Sequence, residues 1–461
     1  MKPLTSGRGP RSRIKSTFLW QQTCAAPARA PLRYSRRMRT PVVAHTSLYD
    51  ANNSFSVDVP SVDVPRFEVG PSALNYLKRE GYVVIKNMNA TEVAHARQLL
   101  WSFLEGTGKG VRRDKPKTWV RSAPNQYGIV WNNGVGHSRL AWFIRTRPKL
   151  LEMFARVWNT SDLIASFEGF SWLPPRAYES SWRLGEAWFH TDQNGLSRPG
   201  RQTVQSLTSL YDQDEHTGAF VIVPRSHKHH SKVTKRVYAA RPQTPHDQQF
   251  LMIPANDEIL HKPRRPHLVR CKAGDSILWE SRAVHCSTPS LLGVPSEAAA
   301  EVLVDEDDGR PRPARVAVYN SLSPRSRASE EVLLQRQAAL ITKQTCTHWP
   351  FEMTCLEPPQ SSVKGEAPSD PLTRATSVVK QLVGYTDGQL ERWLNANAAE
   401  RREAAYRTSA LPALHEAATL VDESAVVNAA EILFGTHEGV TIGHRKCARK
   451  RPRSFLDLRR T

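Results

Sequence analysis

The sequence predicts a mainly β protein, a jelly roll flanked by helices and followed by a helical appendage. Three observations predict it. Short runs rich in β-branched and aromatic residues recur between turn formers, as in 203–223, 274–279 and 315–319. Helical periodicity precedes those runs, at 73–79 and 91–105. A second helical stretch follows a Pro/Ser/Gly-rich boundary at 356–371. Short strands separated by loops, with helices at the front, fit a helix-flanked jelly roll.

The elements run in this order. Residues 1–49 form a basic arm. Residues 50–65 read as an extended linker built on a near-repeat, Ser-Val-Asp-Val-Pro at 56–60 and again at 61–65. Gly70-Pro71 opens a short helix, and Tyr82-Val83-Val84-Ile85 reads as a buried strand. The helix over 91–105 places Val93, Ala96, Leu99, Leu100, Phe103 and Leu104 on one side, with Asn89 or Thr91 as its cap. Two strands flank the turn formers Asp212 to Gly218. His227, His229 and His230 read as an exposed histidine loop, with a second metal site as the alternative. Leu291 to Pro313 reads as a polar surface insertion, and Asp305 to Gly309 within it as exposed and mobile. The main domain spans 66–355. Residues 372–435 are Ala-rich, with Val378, Val379, Leu382 and Val383 as one stripe and Gly435 as a stop. Residues 436–461 form a basic tail.

The net charge of +20 is unevenly spread. Residues 1–50 hold ten Lys/Arg and one acidic residue, and 441–461 hold eight and one. Basicity therefore belongs to the ends, and charge gives the folded core no nucleic-acid footprint. A nucleic-acid contact would run only through the tails; Arg445 to Arg453 reads as a solvated tail, a nuclear signal, or an RNA- or lipid-touching segment. No apolar run is long enough to span a bilayer as a helix. The arm has no acidic residue before Asp50 and only a short apolar cluster, which suits an organelle transit peptide better than a secretory signal. Val42-Val43-Ala44 resembles a plastid cleavage site. Plastid and mitochondrion are the expected destinations, with nucleus or cytosol as the alternative. The six cysteines contain no C-x-x-C, which argues against a zinc ribbon or thioredoxin motif, and the pattern reads as reduced.

The chemistry-bearing residues are His190-Thr191-Asp192, His285 and Arg315. Residues i and i+2 of a strand share a face, so His190 and Asp192 can reach one ion. Two His and one carboxylate are the ligand set of facial-triad non-haem Fe(II) sites, which keep positions open for a co-substrate and O2. An Arg nearby supplies a planar, permanently charged fork for a carboxylate. Trp131, Trp142, Trp172, Trp182 and Trp188 stand near the triad in sequence, as core or as pocket wall.

Several blocks together resemble the phytanoyl-CoA dioxygenase family. They are WFHTDQN (188–194), TGAFVIVPRSHK (217–228), AGDSILWESRAVHCSTPS (273–290) and RVAVYNSLSPRSRAS (315–329). GHSRLAWFIRTRPKLLEMFARVW (136–158), SFEGF (166–170) and CTHWP (346–350) are also similar. The resemblance implies a double-stranded β-helix and Fe(II)- and 2-oxoglutarate-dependent oxidation by O2 of an unidentified small-molecule or acyl substrate. It implies that His190, Asp192 and His285 bind iron, and that Arg315 with Ser287 holds the distal carboxylate of 2-oxoglutarate. In the family the Arg follows the distal His more closely; here 291–313 intervenes, and long loops are thermodynamically cheap. Asp192 stands where halide-binding members lack a carboxylate, which disfavours halogenation. Two rival readings remain beside this one. One is a non-catalytic jelly-roll binding protein acting through its basic tails. The other is an oxygenase acting on nucleic acid or protein.

Overall fold

The computed structural model describes residues 45–49, 56–125, 127–174, 188–261, 265–289, 303–357 and 377–385. The basic arm to residue 44, Trp182, the insertion up to 302, the boundary from 358, the appendage beyond 385 and the basic tail lie outside the described residues.

Two sheets form the body. The first has the order β1 (His45–Tyr49), β2 (Ser56–Asp63), β12 (His267–Arg270), β10 (Phe220–Ile222), β14 (His285–Ser287), β8 (His190–Thr191), β11 (Leu251–Met252). The second has the order β3 (Arg66–Phe67), β4 (Tyr82–Lys86), β13 (Asp275–Glu280), β9 (Val204–Ser209), β15 (Arg315–Pro324), β7 (Phe170–Leu173), β5 (Ile129–Val130), with β6 (Leu163–Ala165) also on β15. Along the chain, β7, β9, β13 and β15 fall in the second sheet and β8, β10, β12 and β14 in the first. This interleaving of two antiparallel sets is the jelly roll that the sequence predicts.

Period-two alternation explains why these strands read as continuous apolar runs. On β4, Tyr82 and Val84 join a core shared by both sheets, with Leu207, Phe220, Ile222, Val269, Ile277 and Trp279. The intervening Val83 and Ile85 point the other way, into a core built with the helices. Both faces of the second sheet are thus covered, so no polar alternation is needed.

The helices covering that sheet are α1 (Pro71–Glu80), α2 (Ala90–Gly106), α3 (Arg139–Arg145) and α4 (Pro148–Trp158). Asn89 caps α2: its side chain accepts from Glu92 N at 2.9 Å, and the Glu92 carboxylate accepts from Asn89 N at 3.0 Å. α5 (His230–Ala240), α6 (Glu330–Ile341) and α7 (Ser377–Val383) complete the set.

Four expectations need correction. Residues 56–63 are not a linker: β2 pairs in parallel with β12, and Val57 and Val59 are fully buried. The near-repeat places valines at alternate positions, which suits a strand with one covered face. β1 pairs antiparallel with β2 and begins at His45, so the arm ends at residue 44 and not at 49. The acidic run of the insertion is docked. Asp305 is 1% exposed and binds Arg97 Nη1 at 2.7 Å, Arg113 Nη2 at 3.1 Å and the Tyr211 hydroxyl at 3.1 Å. The histidine loop is also buried at two positions: His227 faces Gly81, and His230 Nε2 lies 2.7 Å from the Gln193 carbonyl. The first described turns of the appendage do pack: Val379, Leu382 and Val383 are buried against the core while Val378 is exposed.

Candidate metal centre

The metal-ligand candidates are brought together by strand register. β8 and β14 pair antiparallel with His190 directly opposite His285. Asp192 follows β8 by one residue and keeps the same side as His190. Two facing positions and the i+2 position thus converge, with Asp192 two residues and His285 95 residues from His190. The ligand atoms of His190, Asp192 and His285 all lie within 4.8 Å of one another.

The ring nitrogens are assigned by their partners. His190 Nδ1 lies 2.9 Å from the Trp188 carbonyl, and His285 Nδ1 lies 2.9 Å from the Ala283 carbonyl. A carbonyl only accepts, so each Nδ1 carries a proton, and each Nε2 is the atom left to meet a metal. Those Nε2 atoms face the Asp192 carboxylate, at 3.2 Å from Oδ1 for His190 and 3.1 Å from Oδ2 for His285. Burial, and then His285, lowers the His190 pKa, which favours the neutral imidazole a metal needs. Burial alone would raise Asp192, but the two imidazoles hold it well below the usual carboxylate range. Two Nε2 atoms and a carboxylate set this close fit a divalent cation with open positions.

Supporting residues come from the opposite sheet. Asp192 Oδ2 accepts from Gln205 Nε2 on β9 at 2.5 Å and from Trp279 Nε1 on β13 at 3.3 Å. Gln205 Nε2 also reaches Ser281 Oγ at 3.0 Å. Trp188 stacks on the His190 ring at 4.2 Å and 8°, and Tyr127 packs on Trp188 at 4.3 Å. Trp172 is fully buried in the helix-side core, and Trp142 lies in that core too.

Arg315 opens β15 and is fully buried. Its Nη2 donates to Ser287 Oγ at 3.4 Å, while Nε and Nη1 have no partner. Burial lowers its pKa, with only Tyr319 and the thiols of Cys271 and Cys286 as opposing charges. An enclosed guanidinium with orphan N–H groups is costly unless an anion completes it. This arrangement fits the carboxylate of a small dicarboxylic co-substrate. Cys286 is fully buried and its thiol pKa is pushed up by burial, as expected of a small core residue.

Two residues near the cluster were not singled out in the sequence, although their blocks were. Glu168, of the SFEGF block, accepts from Ser166 Oγ at 2.5 Å. Burial pushes its pKa up to about 8, and the Asp192 charge adds to the rise. His348, of the CTHWP block, is hydrogen-bonded to the Asp192 backbone, and its Nε2 is buried without a partner. Sequence gave only their membership of family-like blocks; nothing local marks either as facing the site.

Comparison with known proteins follows the geometry. The phytanoyl-CoA dioxygenase family model matches residues 77–291. That span holds His190, Asp192, His285 and Ser287, and excludes Arg315. Ava biosynthesis cluster protein O of Aspergillus versicolor is 25% identical over 226 residues, which is 45% of this chain and 69% of that protein. Among solved structures, AviO1 from Streptomyces viridochromogenes is 17% identical over 56% of this chain and 96% of its own, with a TM-score of 0.35. EctD from S. alaskensis with bound Fe is 14% identical over 59% and 83%, with a TM-score of 0.37. SnoK, a non-heme alpha ketoglutarate dependent carbocyclase of nogalamycin biosynthesis, is 17% identical over 55% and 83%, with a TM-score of 0.35.

Proposed function

We propose that this chain, whose residues 77–291 match the phytanoyl-CoA dioxygenase family model, is an oxidoreductase of the dioxygenase type, an Fe(II)- and 2-oxoglutarate-dependent hydroxylase. Its substrate is an organic small molecule or acyl group carrying the C–H bond to be oxidised. The observation that carries this reading is a combination. Two imidazole nitrogens and a carboxylate converge within 4.8 Å, and a fully buried Arg315 stands on the facing sheet with two unpartnered guanidinium nitrogens. A protein that only binds partners through its tails has no need of that pair of features together.

In this reading His190 Nε2, His285 Nε2 and an Asp192 oxygen hold the iron. When bound, iron supplies the activation of O2 that converts 2-oxoglutarate to succinate and CO2 and inserts oxygen into the substrate C–H bond. The protein's own part is positional. Backbone carbonyls of Trp188 and Ala283 fix both imidazole tautomers. Gln205 and Trp279 fix the carboxylate and leave its remaining lone pairs free. Arg315 and Ser287 bind the far carboxylate of 2-oxoglutarate, so the keto-acid end meets the ligand cluster in one orientation. Trp188, Tyr127 and the inter-sheet core around Phe220 and Trp279 exclude bulk water from one side.

The test is an anaerobic titration of Fe(II) and 2-oxoglutarate, followed by the metal-to-ligand charge-transfer band. Wild type gives the band; His190→Ala and Asp192→Ala abolish it while circular dichroism stays unchanged. Arg315→Lys retains iron but weakens 2-oxoglutarate by about tenfold or more, since a point charge cannot replace a fork. Iron bound as tightly by both ligand variants would overturn the metal assignment. An unchanged 2-oxoglutarate affinity in Arg315→Lys would move the carboxylate site elsewhere. Succinate release screened over acyl-CoAs, alcohols, amino acids and nucleic acids then identifies the substrate class.

A further inference from the structure

Cys346 and Cys355 face each other across a hairpin that the metal-ligand reading does not use. Their residues form an isolated antiparallel bridge. Thr347 N donates to the Thr354 carbonyl at 2.9 Å, and Leu356 N to the Thr345 carbonyl at 2.8 Å. Those bonds flank the pair, so Cys346 and Cys355 occupy a non-hydrogen-bonded position, where Cα atoms stand about 4.5 Å apart. That spacing falls at the near end of the range that a disulfide bridges, about 4.4–6.8 Å. The sulfurs are already 3.4 Å apart.

The hairpin is held in place from several sides. Cys346 N donates to the Phe167 carbonyl at 2.9 Å. Arg336 donates to the Pro350 carbonyl at 2.8 Å, and Arg198 pairs with Glu352 at 2.7 Å. Between the two cysteines lies His348, bonded to the Asp192 backbone. The hairpin is thus one wall of the ligand cluster, and it lies beyond the residues that the family model matches.

We propose that Cys346 and Cys355 are a reversible disulfide site, oxidised by a low-molecular-weight disulfide such as glutathione disulfide, and that the cross-link stiffens this wall. Cys346 is 2% exposed and Cys355 is half-buried, so the reagent meets Cys355 first. The Cys346 thiol hydrogen-bonds to Cys355 and lowers its pKa, which favours Cys355 as the attacking thiolate. That thiolate attacks one sulfur of glutathione disulfide and releases one glutathione thiolate, which takes up a proton. Cys346 then loses its proton, attacks the Cys355 sulfur and expels the second glutathione. Two protein thiols are oxidised, one glutathione disulfide is reduced to two glutathiones, and a reductant reverses the exchange. Closing from 3.4 Å to a bond of about 2.0 Å needs side-chain rotation and no change of strand pairing.

The test uses the full chain and thiol chemistry, so its outcome does not depend on the metal reading. Trypsin cannot cut between Gln344 and Lys364, so both cysteines fall on one peptide. After native incubation with glutathione disulfide and alkylation, that peptide should be lighter by two hydrogens and resist both alkylations. Dithiothreitol should restore both thiols. Amide hydrogen exchange over 345–356 should slow by about threefold or more in the oxidised chain. Cys355→Ser should form no internal link while keeping the wild-type circular dichroism. A peptide that keeps two free thiols, or carries glutathione adducts with no internal link, overturns the proposal. An internal link with unchanged exchange over the hairpin overturns the stiffening.

Discussion

At the scale of single residues, the ligand cluster was legible because its geometry is local. His190 and Asp192 share a strand face by their spacing alone, and His285 needs only one strand pairing to meet them. Glu168 and His348 were not legible in that way. Each reaches the site through a backbone path that no periodicity records, one between β6 and β7 and one in a turn after α6. Glu168 carries a prediction. Its pKa in the fold is raised from 4.5 to about 8, with burial as the main cause and Asp192 second. The metal-free folded chain therefore keeps a proton that the unfolded chain releases. The stabilising contribution is complete below the unfolded value and is lost as pH rises toward about 8. For a single group the slope is at most about 1.4 kcal/mol per pH unit. Glu168→Gln cannot titrate, so its urea midpoint should fall less steeply than that of metal-free wild type between those two values. Parallel slopes would mean that the carboxyl is ionised throughout.

At the scale of elements, strands and helices were readable where both faces or one stripe carry apolar residues, as in β4, β13 and α2. The acidic turn was misread for a nonlocal reason. Asp305, Asp307 and Asp308 look solvated as a run, but their partners stand 208 residues away at Arg97 and 195 residues away at Arg113. Arg97 lies on α2, where it also donates to the Leu210 carbonyl at 2.9 Å. Arg113 is 6% exposed and binds both Asp305 and Asp308. The turn leads into β15, so this anchoring also fixes the approach to Arg315. Removing the Asp305 carboxylate leaves two enclosed guanidinium groups short of a partner, though Asp307 and Asp308 remain. Asp305→Ala should therefore cost about 2–4 kcal/mol, below the full effect of stripping a buried pair. Glu306→Ala, at the exposed neighbouring position, should stay within about 0.5 kcal/mol of wild type. Chemical denaturation of the three proteins decides it. Equal stability of both variants would mean that the run is solvated after all.

At the scale of the whole molecule, the interleaving of the two sheets follows from how the strands are connected, and each sheet then needs its edges covered. The second sheet is covered by helices. The first gains two strands from the chain before residue 66, a part whose sequence looked like an arm and a linker. Such short segments carry little periodicity, and only the pairing of β2 with β12 and of β1 with β2 reveals them as strands. This leads to a prediction about where the domain starts. A chain beginning at His45 keeps β1 and β2 and should match the full chain in thermal midpoint. A chain beginning at Arg66 loses both strands and exposes the surface that Val57 and Val59 cover. Two fully buried valines account for about 3–5 kcal/mol of burial, so that chain should melt well below the other. Equal midpoints for the two truncations would show that β2 adds nothing to the fold. The segment before His45 carries a separate expectation from its composition, ten basic residues and no acidic one. Residues 1–44 fused to a fluorescent reporter should carry it into plastids or mitochondria. A reporter left in the cytosol or nucleus would remove the targeting role and leave the His45 boundary standing on the strands alone.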